Sequence, residues 1–287
     1  MAFGHWLALP ASWGPFRFHP SRAAVILIGI TGVLAPEQSL AQGAEGWGAG
    51  IFGSETSLMI GAGAILEPEY LGGDEMTVNP IPIFELDGMF GGHVFVSTSR
   101  GVGIDFLTRG PLKFSTAVNY AGGRDNDDGD RLRGLDEIDA GAKISAVLEY
   151  DFTPFTAAVE VNHRFGDGSG TTVKLGADYG FSPLPDLRVS LGASVRFADG
   201  SHTENFFGVT AVEAARATAA GNPLRTYEAD AGIQDVGLKL SATYNLDKHW
   251  LVRSEVGVGM LLGDAADSPL TEREVRPSVF LGLAYRF

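Results

Sequence analysis

Residues 275–287, the last thirteen of the chain, alternate between two kinds of side chain. Odd positions are almost all apolar, as at Val279 and Tyr285, whereas even positions are mostly small or charged, as at Arg276. Successive side chains on a β-strand point to opposite faces, so the segment predicts a strand with one apolar and one polar face. Such a strand ending in an aromatic residue is typical of an outer-membrane barrel, where aromatic residues lie at the lipid headgroups. We therefore expect Tyr285 and Phe287 to form a C-terminal assembly signal.

The N-terminal region has the features of a signal peptide. Arg17 and Arg22 precede an apolar run over residues 23–35, which is too short to span a bilayer as a helix. A small-x-small motif follows, so we expect signal cleavage between Ala41 and Gln42. The alternative is an N-terminal anchor helix. The expected organisation is a signal peptide at 1–41, a short periplasmic segment at 42–54 and an outer-membrane barrel at 55–287.

Composition narrows the function classes. The chain has no cysteine, which excludes disulfides and thiolate metal sites, and its formal net charge is -14. An acidic protein is a poor partner for nucleic acid, whose phosphates require a basic surface. No segment after the signal peptide approaches 18 uninterrupted apolar residues, so a membrane-spanning form must be a closed barrel. We expect no cofactor and no metal.

Segments with a period of two recur along the chain, and residues 187–197 show it most clearly. They predict an all-β fold, a transmembrane antiparallel up-and-down β-barrel of about 12 strands. The predicted strands are 55–67, 76–86, 90–98, 101–108, 112–121, 136–150, 154–165, 170–181, 186–198, 232–245, 249–262 and 274–287. Short turns alternate with longer connections, of which 122–135, 199–231 and 263–273 are the longest. Because this alternation puts all the long connections at one end of the barrel, it predicts that the long loops are external and that both termini are periplasmic.

Two local features add to this prediction. Pro80 and Pro82 fall inside the second strand, where proline cannot donate a hydrogen bond, so we expect an irregularity or a bulge there. Loop 199–231 contains an alanine-rich stretch that predicts a short helix over the barrel mouth. Aromatic residues flank the short turns and predict an interfacial girdle: Tyr150, Phe155, Tyr179, Phe181, Tyr244, Trp250, Tyr285 and Phe287.

The inward positions of these strands collect charges of both signs. The predicted lumen-facing charges are Lys143, Glu149, Glu160, Arg164, Lys174, Asp178, Arg188, Arg196, Lys239, Arg253, Glu255 and Arg276. Two interpretations remain open. Ion pairs and side chains could fill a small barrel, or the charges could line a narrow selective pore. Mixed charge favours the filled interior.

Catalytic and metal motifs are weak. The loop Gly122–Asp130 is acidic but departs from the EF-hand pattern at its fifth and twelfth positions, so we expect a solvated loop. A weak divalent-cation site is the alternative. His93 and Ser97 would share a strand face, as a barrel hydrolase requires, but no orienting partner accompanies them. We expect no enzymatic activity.

Several ordered strings resemble the MipA/OmpV family of outer-membrane proteins and extend over about residues 48–287. They are Gly61-Ala62-Gly63-Ala64, Pro68-Glu69-Tyr70-Leu71-Gly72-Gly73, Asn79-Pro80-Ile81-Pro82, Leu132-Arg133-Gly134-Leu135, Phe206-Phe207-Gly208-Val209-Thr210 and residues 235–244. The resemblance implies a barrel in the outer membrane of a Gram-negative bacterium, in contact with lipid and lipopolysaccharide. The namesake member is a scaffold that interacts with a murein-degrading lytic transglycosylase and a murein synthase.

Three functions follow as hypotheses. The leading one is a non-enzymatic scaffold or structural component that contacts murein-processing enzymes. The alternatives are a small-solute channel and an adhesin that acts through loop 199–231.

Overall fold

The computed structural model describes residues 56–287, which form a closed barrel of twelve antiparallel strands. Each strand pairs with its neighbour in sequence, and β1 closes the barrel against β12. The strands are β1 (Ser57–Pro68), β2 (Met76–Gly88), β3 (Val94–Ser97), β4 (Gly101–Leu107), β5 (Leu112–Ala121), β6 (Gly141–Phe152), β7 (Phe155–Arg164), β8 (Gly170–Leu184), β9 (Leu187–Ala198), β10 (Gly232–Asn245), β11 (Trp250–Leu261) and β12 (Val275–Arg286). The predicted all-β, twelve-strand fold is confirmed. The predicted signal peptide and the 42–54 segment lie outside the described residues.

The outer surface of the barrel is apolar because alternate side chains point away from the lumen. On β12, Leu281 is 59% exposed, whereas Phe280 is 5% exposed and Ala284 is fully buried. The same alternation exposes Leu238 and Leu240 on β10 and recurs along most strands. Such a belt is stable only in hydrocarbon, so the strands span a membrane.

The two ends of the barrel differ. At the short-turn end, tight turns join β2 to β3, β4 to β5, β6 to β7, β8 to β9 and β10 to β11. Rings exposed at this end form chains of contacts, such as Phe152 to Phe155 at 5.7 Å and Phe155 to Tyr179 at 5.2 Å. Tyr285 packs against Trp250 at 5.1 Å and Phe287 at 4.8 Å. These chains have the form of an interfacial girdle.

At the long-loop end, four connections fold together into a cap, defined here as residues 69–75, 122–140, 199–231 and 262–274. It contains the helices α2 (Gly200–Phe207), α3 (Ala211–Ala219) and α4 (Gly263–Asp267) and two short 3-10 helices. Within residues 56–287, no helix is long and apolar enough to cross a membrane. The cap has apolar cores of its own, which include Tyr70, Leu132, Leu135, Phe207, Val209, Ala217, Leu224, Ala265 and Leu270.

Side-chain hydrogen bonds join the connections of the cap to one another. The hydroxyl of Tyr70 donates to the carbonyl of Leu270 at 3.0 Å and to a carboxylate oxygen of Glu272 at 2.9 Å. The hydroxyl of Ser268 donates to the carbonyl of Phe207 at 2.6 Å. Burial, together with the bond to Glu272, raises the pKa of the Tyr70 phenol. Tyr70 therefore remains a neutral donor that joins two connections.

β2 has no bulge at Pro80 and Pro82, and the irregularity there is a gap in its pairing with β3. Pairing between β1 and β2 continues without a register shift through Ala64–Pro80 and Ala62–Pro82. On its other side β2 pairs with β3 only through Glu85 and Leu86, so neither proline faces a β3 donor or acceptor. Proline has no N–H to donate, so it is tolerated where the strand has no neighbour that would accept this hydrogen bond.

Two strands begin later than predicted. β3 starts at Val94 rather than 90, because α1 (Met89–Gly92) is a tight turn in which Phe90, Gly91 and Gly92 have positive φ. β6 starts at Gly141 rather than 136, because Ile138 forms an isolated bridge with Arg124 inside the cap. The period-two pattern does not distinguish these segments from the strands that follow them.

Candidate functional site in the barrel lumen

A cavity of about 830 Å³ runs along the inside of the barrel. It extends from Thr153 and Ser182 near the short-turn end to Tyr70, His202 and Phe206 of the cap. One side of the lumen is filled instead by an apolar cluster on β1, β2, β11 and β12: Met59, Ile65, Ile81, Ile83, Leu251, Phe280 and Ala284. The prediction of an interior filled by ion pairs and other side chains therefore describes only part of the lumen, because a cavity remains beside this cluster.

The structure places all twelve predicted lumen charges on the wall of this cavity. They come from β6 to β12, and those on β11 and β12 share their strands with part of the apolar cluster: Lys143, Glu149, Glu160, Arg164, Lys174, Asp178, Arg188, Arg196, Lys239, Arg253, Glu255 and Arg276. Their positions along the strands divide the lumen into a cap half, beneath the cap, and a turn half, near the short-turn end. The two halves differ in how their charges are paired.

In the turn half, basic and acidic groups pair closely. The ammonium of Lys113 lies 2.9 Å from Glu149 and 2.5 Å from Asp151. The ammonium of Lys239 lies 3.2 Å from Asp178. Opposite charges inside a barrel stabilise each other because the surrounding wall has a low dielectric constant.

In the cap half, two arginines bind backbone carbonyls. Arg164 donates to the carbonyls of Asp167, Gly122 and Asp139 at 2.8, 2.7 and 2.6 Å. Arg124 donates to the carbonyl of Phe206 at 3.0 Å and to that of Asp136 at 3.2 Å. Arg164 attaches the cap to β7, and Arg124 joins two connections of the cap. Because a backbone carbonyl has no net charge, it does not neutralise the positive charge of either guanidinium.

Arg124 lies in the cap, outside the spanning strands. Burial lowers the pKa of its guanidinium, and the Glu213 carboxylate opposes this effect. Glu213 belongs to a capping box with Thr210 at the start of α3 and also accepts a hydrogen bond from the backbone N–H of Asp136 at 3.0 Å. The cap therefore contains a structural network of its own.

Three further basic groups of the cap half lie on β8, β9 and β12. Arg196 on β9 and Arg276 on β12 approach the same oxygen of Asp235, at 3.8 and 3.5 Å. Lys174 on β8 is the direct register partner of Arg196. Two basic side chains therefore share one carboxylate, and a third, that of Lys174, lies beside one of them in the strand register.

His202 on α2 lines the cavity beneath the cap. Its ring stacks on Phe206 at 4.7 Å between centroids, and its backbone N–H donates to the carboxylate of Asp199, the N-cap of α2, at 2.8 Å. Burial, reinforced by the charge of Arg196, lowers the pKa of His202 to about 4. The imidazole is therefore neutral at pH 7.

Several cavity or lumen charges were missing from the sequence prediction. Glu85, Lys113 and Asp235 follow the same alternation as their strand neighbours and could have been found from it. Arg124 lies in a connection of the cap, so the period-two pattern of the strands does not predict that it lines the cavity.

The weaker candidates do not assemble. Ser97 Oγ contacts Ser99 Oγ at 2.9 Å, while Nδ1 of His93 contacts the carbonyl oxygen of Asp105 at 2.8 Å, so the pair is not coupled. Among residues 56–287, no group of three or more His, Cys, Asp or Glu side chains is arranged to hold a metal ion. The acidic loop 122–130 instead forms part of the cap, with Asp128 accepting from the backbone N–H of Asp125 at 2.8 Å.

Comparison with known proteins identifies the family. The family model described as MltA-interacting protein MipA matches residues 60–287, which cover almost the whole barrel. The chain belongs to the MipA family. The resemblance found in the sequence is therefore confirmed, and this MipA-family protein is a β-barrel of the Gram-negative outer membrane.

None of the curated proteins compared with this MipA-family chain matches it significantly. Among solved structures, it is similar to the KdgM porin, with 10% identity over 80% of this chain and 99% of that one, at a TM-score of 0.38. It is also similar to OmpT, an outer membrane protein of Vibrio cholerae, with 9% identity over 83% and 100% of the two chains, at a TM-score of 0.35. The outer membrane channel DcaP of Acinetobacter baumannii matches with 9% identity over 81% and 96%, at a TM-score of 0.35.

Proposed function

We propose that this protein is a non-enzymatic scaffold of the outer membrane that binds murein-processing enzymes, a lytic transglycosylase and a murein synthase, at its periplasmic end. The observation that carries the proposal is the family match over residues 60–287, since the family is described by its interaction with MltA. The proposal takes the cap as external and the short-turn end as periplasmic. Long external loops and short periplasmic turns are the usual arrangement in such barrels.

Phe90 is the strongest candidate contact at the short-turn end. Its side chain is 52% exposed, and its φ of 52° makes it the only described non-glycine residue with positive φ. Backbone strain of this kind is retained mainly at functional positions. An exposed aromatic residue on a tight turn is also the type of side chain that dominates binding energy at protein interfaces.

The test is a binding measurement between the detergent-solubilised barrel and a purified murein lytic transglycosylase. We expect saturable binding that Phe90→Ala weakens at least tenfold. Val212→Ala is the matched control, because Val212 is 67% exposed on the opposite, capped end. The absence of binding by the folded wild type, or a loss caused by Val212→Ala but not by Phe90→Ala, contradicts the proposal.

The cavity favours a second candidate function, a small-solute channel. Its lining extends through both halves of the lumen. In planar bilayers, a channel would give stable conductance steps that change when Arg188 in the turn half is replaced by Gln. A silent bilayer with correctly inserted protein rejects the channel and leaves the scaffold proposal intact. The adhesin hypothesis for loop 199–231 stays a prediction.

A further inference from the structure

The wall of the cavity has a charge balance opposite to that of the whole protein. The chain contains 21 Lys and Arg residues and 35 Asp and Glu residues. The cavity lining contains eleven of the basic residues but only seven acidic ones. Half of the positive charge of an acidic protein is therefore gathered around one internal space. Charge of one sign in a cleft with low-dielectric walls concentrates ions of the opposite sign.

The surplus is concentrated in the cap half. Six basic residues line this region: Arg124, Lys143, Arg164, Lys174, Arg196 and Arg276. Three carboxylates accompany them, those of Glu67, Glu160 and Asp235. By contrast, basic and acidic groups in the turn half are closely paired. A diffusing anion is therefore most strongly stabilised beneath the cap.

Two basic groups in this region, those of Arg276 and Lys174, retain capacity for a ligand. Arg196 and Arg276 approach the same oxygen of Asp235, and among the described residues that oxygen has no hydrogen-bond donor. Nε of Arg276 is buried, and no atom of residues 56–287 accepts a hydrogen bond from it. Lys174 makes no ion pair within residues 56–287. Buried donors without acceptors are destabilising unless another molecule supplies an acceptor.

We propose that the cap half of the lumen is a binding site for a small organic solute that carries two or more carboxylates. A guanidinium presents a planar fork of donors that matches a carboxylate, and Arg276 on β12 with Lys174 on β8 offers donors from two directions. A cavity of about 830 Å³ has the size of a small-molecule site. Access from one end is sufficient, so the site requires neither conductance nor murein enzymes.

The test uses citrate as the probe and the full mature barrel, refolded in detergent, in isothermal titration at low ionic strength. We expect citrate to bind and uncharged sucrose not to bind. Lys174→Gln should weaken citrate binding about tenfold, and addition of Arg276→Gln should abolish it. Lys248→Gln makes the same chemical change in the exposed β10–β11 turn and should leave binding unchanged.

A variant that is expected to strengthen citrate binding distinguishes an effect on binding from a defect in folding. Glu160 lies opposite Lys174 in the β7–β8 register, and its carboxylate competes with an anionic ligand. Glu160→Gln should therefore strengthen citrate binding several-fold. No citrate binding by the folded wild type, equal binding by the Lys174→Gln/Arg276→Gln variant, or weaker binding by Glu160→Gln overturns the proposal.

Discussion

Arg253 and Glu85 form a two-point ion pair inside the barrel, with nitrogen–oxygen distances of 2.6 and 3.3 Å. Arg253 lies on β11 and Glu85 on β2, so the pair reaches across the two strands between them, β12 and β1. All four of these strands contribute to the apolar lumen cluster. The pair therefore links β11 and β2, which lie on either side of the β1–β12 pairing that closes the barrel.

Replacement of Glu85 by Gln should destabilise the barrel by about 2 kcal/mol, because it weakens a charge-assisted bond and leaves a partly buried guanidinium without its counter-ion. Urea unfolding in detergent, followed by tryptophan fluorescence, measures this change. Glu228→Gln, at an exposed position of the cap, is the control. Equal unfolding midpoints for the wild type and Glu85→Gln would show that the pair contributes nothing.

Gly134 controls the packing of the cap. A Cβ at this position would lie 2.6 Å from backbone atoms of Ala217 on α3, and its φ is +89°. Gly134→Ala should therefore loosen the cap and increase proteolysis within 199–231. Gly221→Ala is the matched control, since its φ is +82° but nothing lies within 4 Å of the added methyl group. If both variants are cleaved equally fast, backbone strain rather than contact with Ala217 is responsible.

The cap should weaken in acid because of His202. Its pKa is lowered to about 4 in the folded protein, first by burial and then by Arg196, with Arg164 adding to the effect and Asp199 opposing it. The unfolded segment binds a proton below pH 6.5, so the contribution of His202 to cap stability is complete above that pH. It is lost progressively as the pH falls towards 4.

Hydrogen exchange in α2 and α3, corrected for intrinsic rates, should therefore show protection that decreases between pH 6.5 and 4. In His202→Gln, which has no titratable ring, this part of the pH dependence should disappear. Identical profiles in both proteins would assign the acid response to another group.

The sequence was sufficient for most of the barrel and much less so for the cap. A period of two fixes which side chains face lipid, so β12 and β10 could be predicted almost residue by residue. The apolar lumen cluster was missed, because Phe280 and Ile81 are inward-facing residues that alternation alone expects to be polar. Pairing in the cap, such as Tyr70 with Glu272, joins residues 202 positions apart, and no local pattern carries that information.

Three basic members of the candidate site were predicted, but Asp235 and the arrangement around it were not. Alternation placed Lys174, Arg196 and Arg276 on inward positions. Only the strand register and the closure of the barrel show that Arg196 and Arg276 share Asp235. The distribution of charge between the two halves of the lumen also depends on which loops cover one end.

The orientation of the barrel, on which the proposed scaffold function depends, can be tested directly because the chain has no cysteine. Single cysteines at Ala219 in the cap and at Lys248 in the β10–β11 turn are both at exposed positions. On intact cells, a membrane-impermeant maleimide should label Ala219→Cys and leave Lys248→Cys unlabelled until the outer membrane is permeabilised. Labelling of Lys248→Cys alone on intact cells would place the short-turn end outside and contradict the proposed contact with murein enzymes.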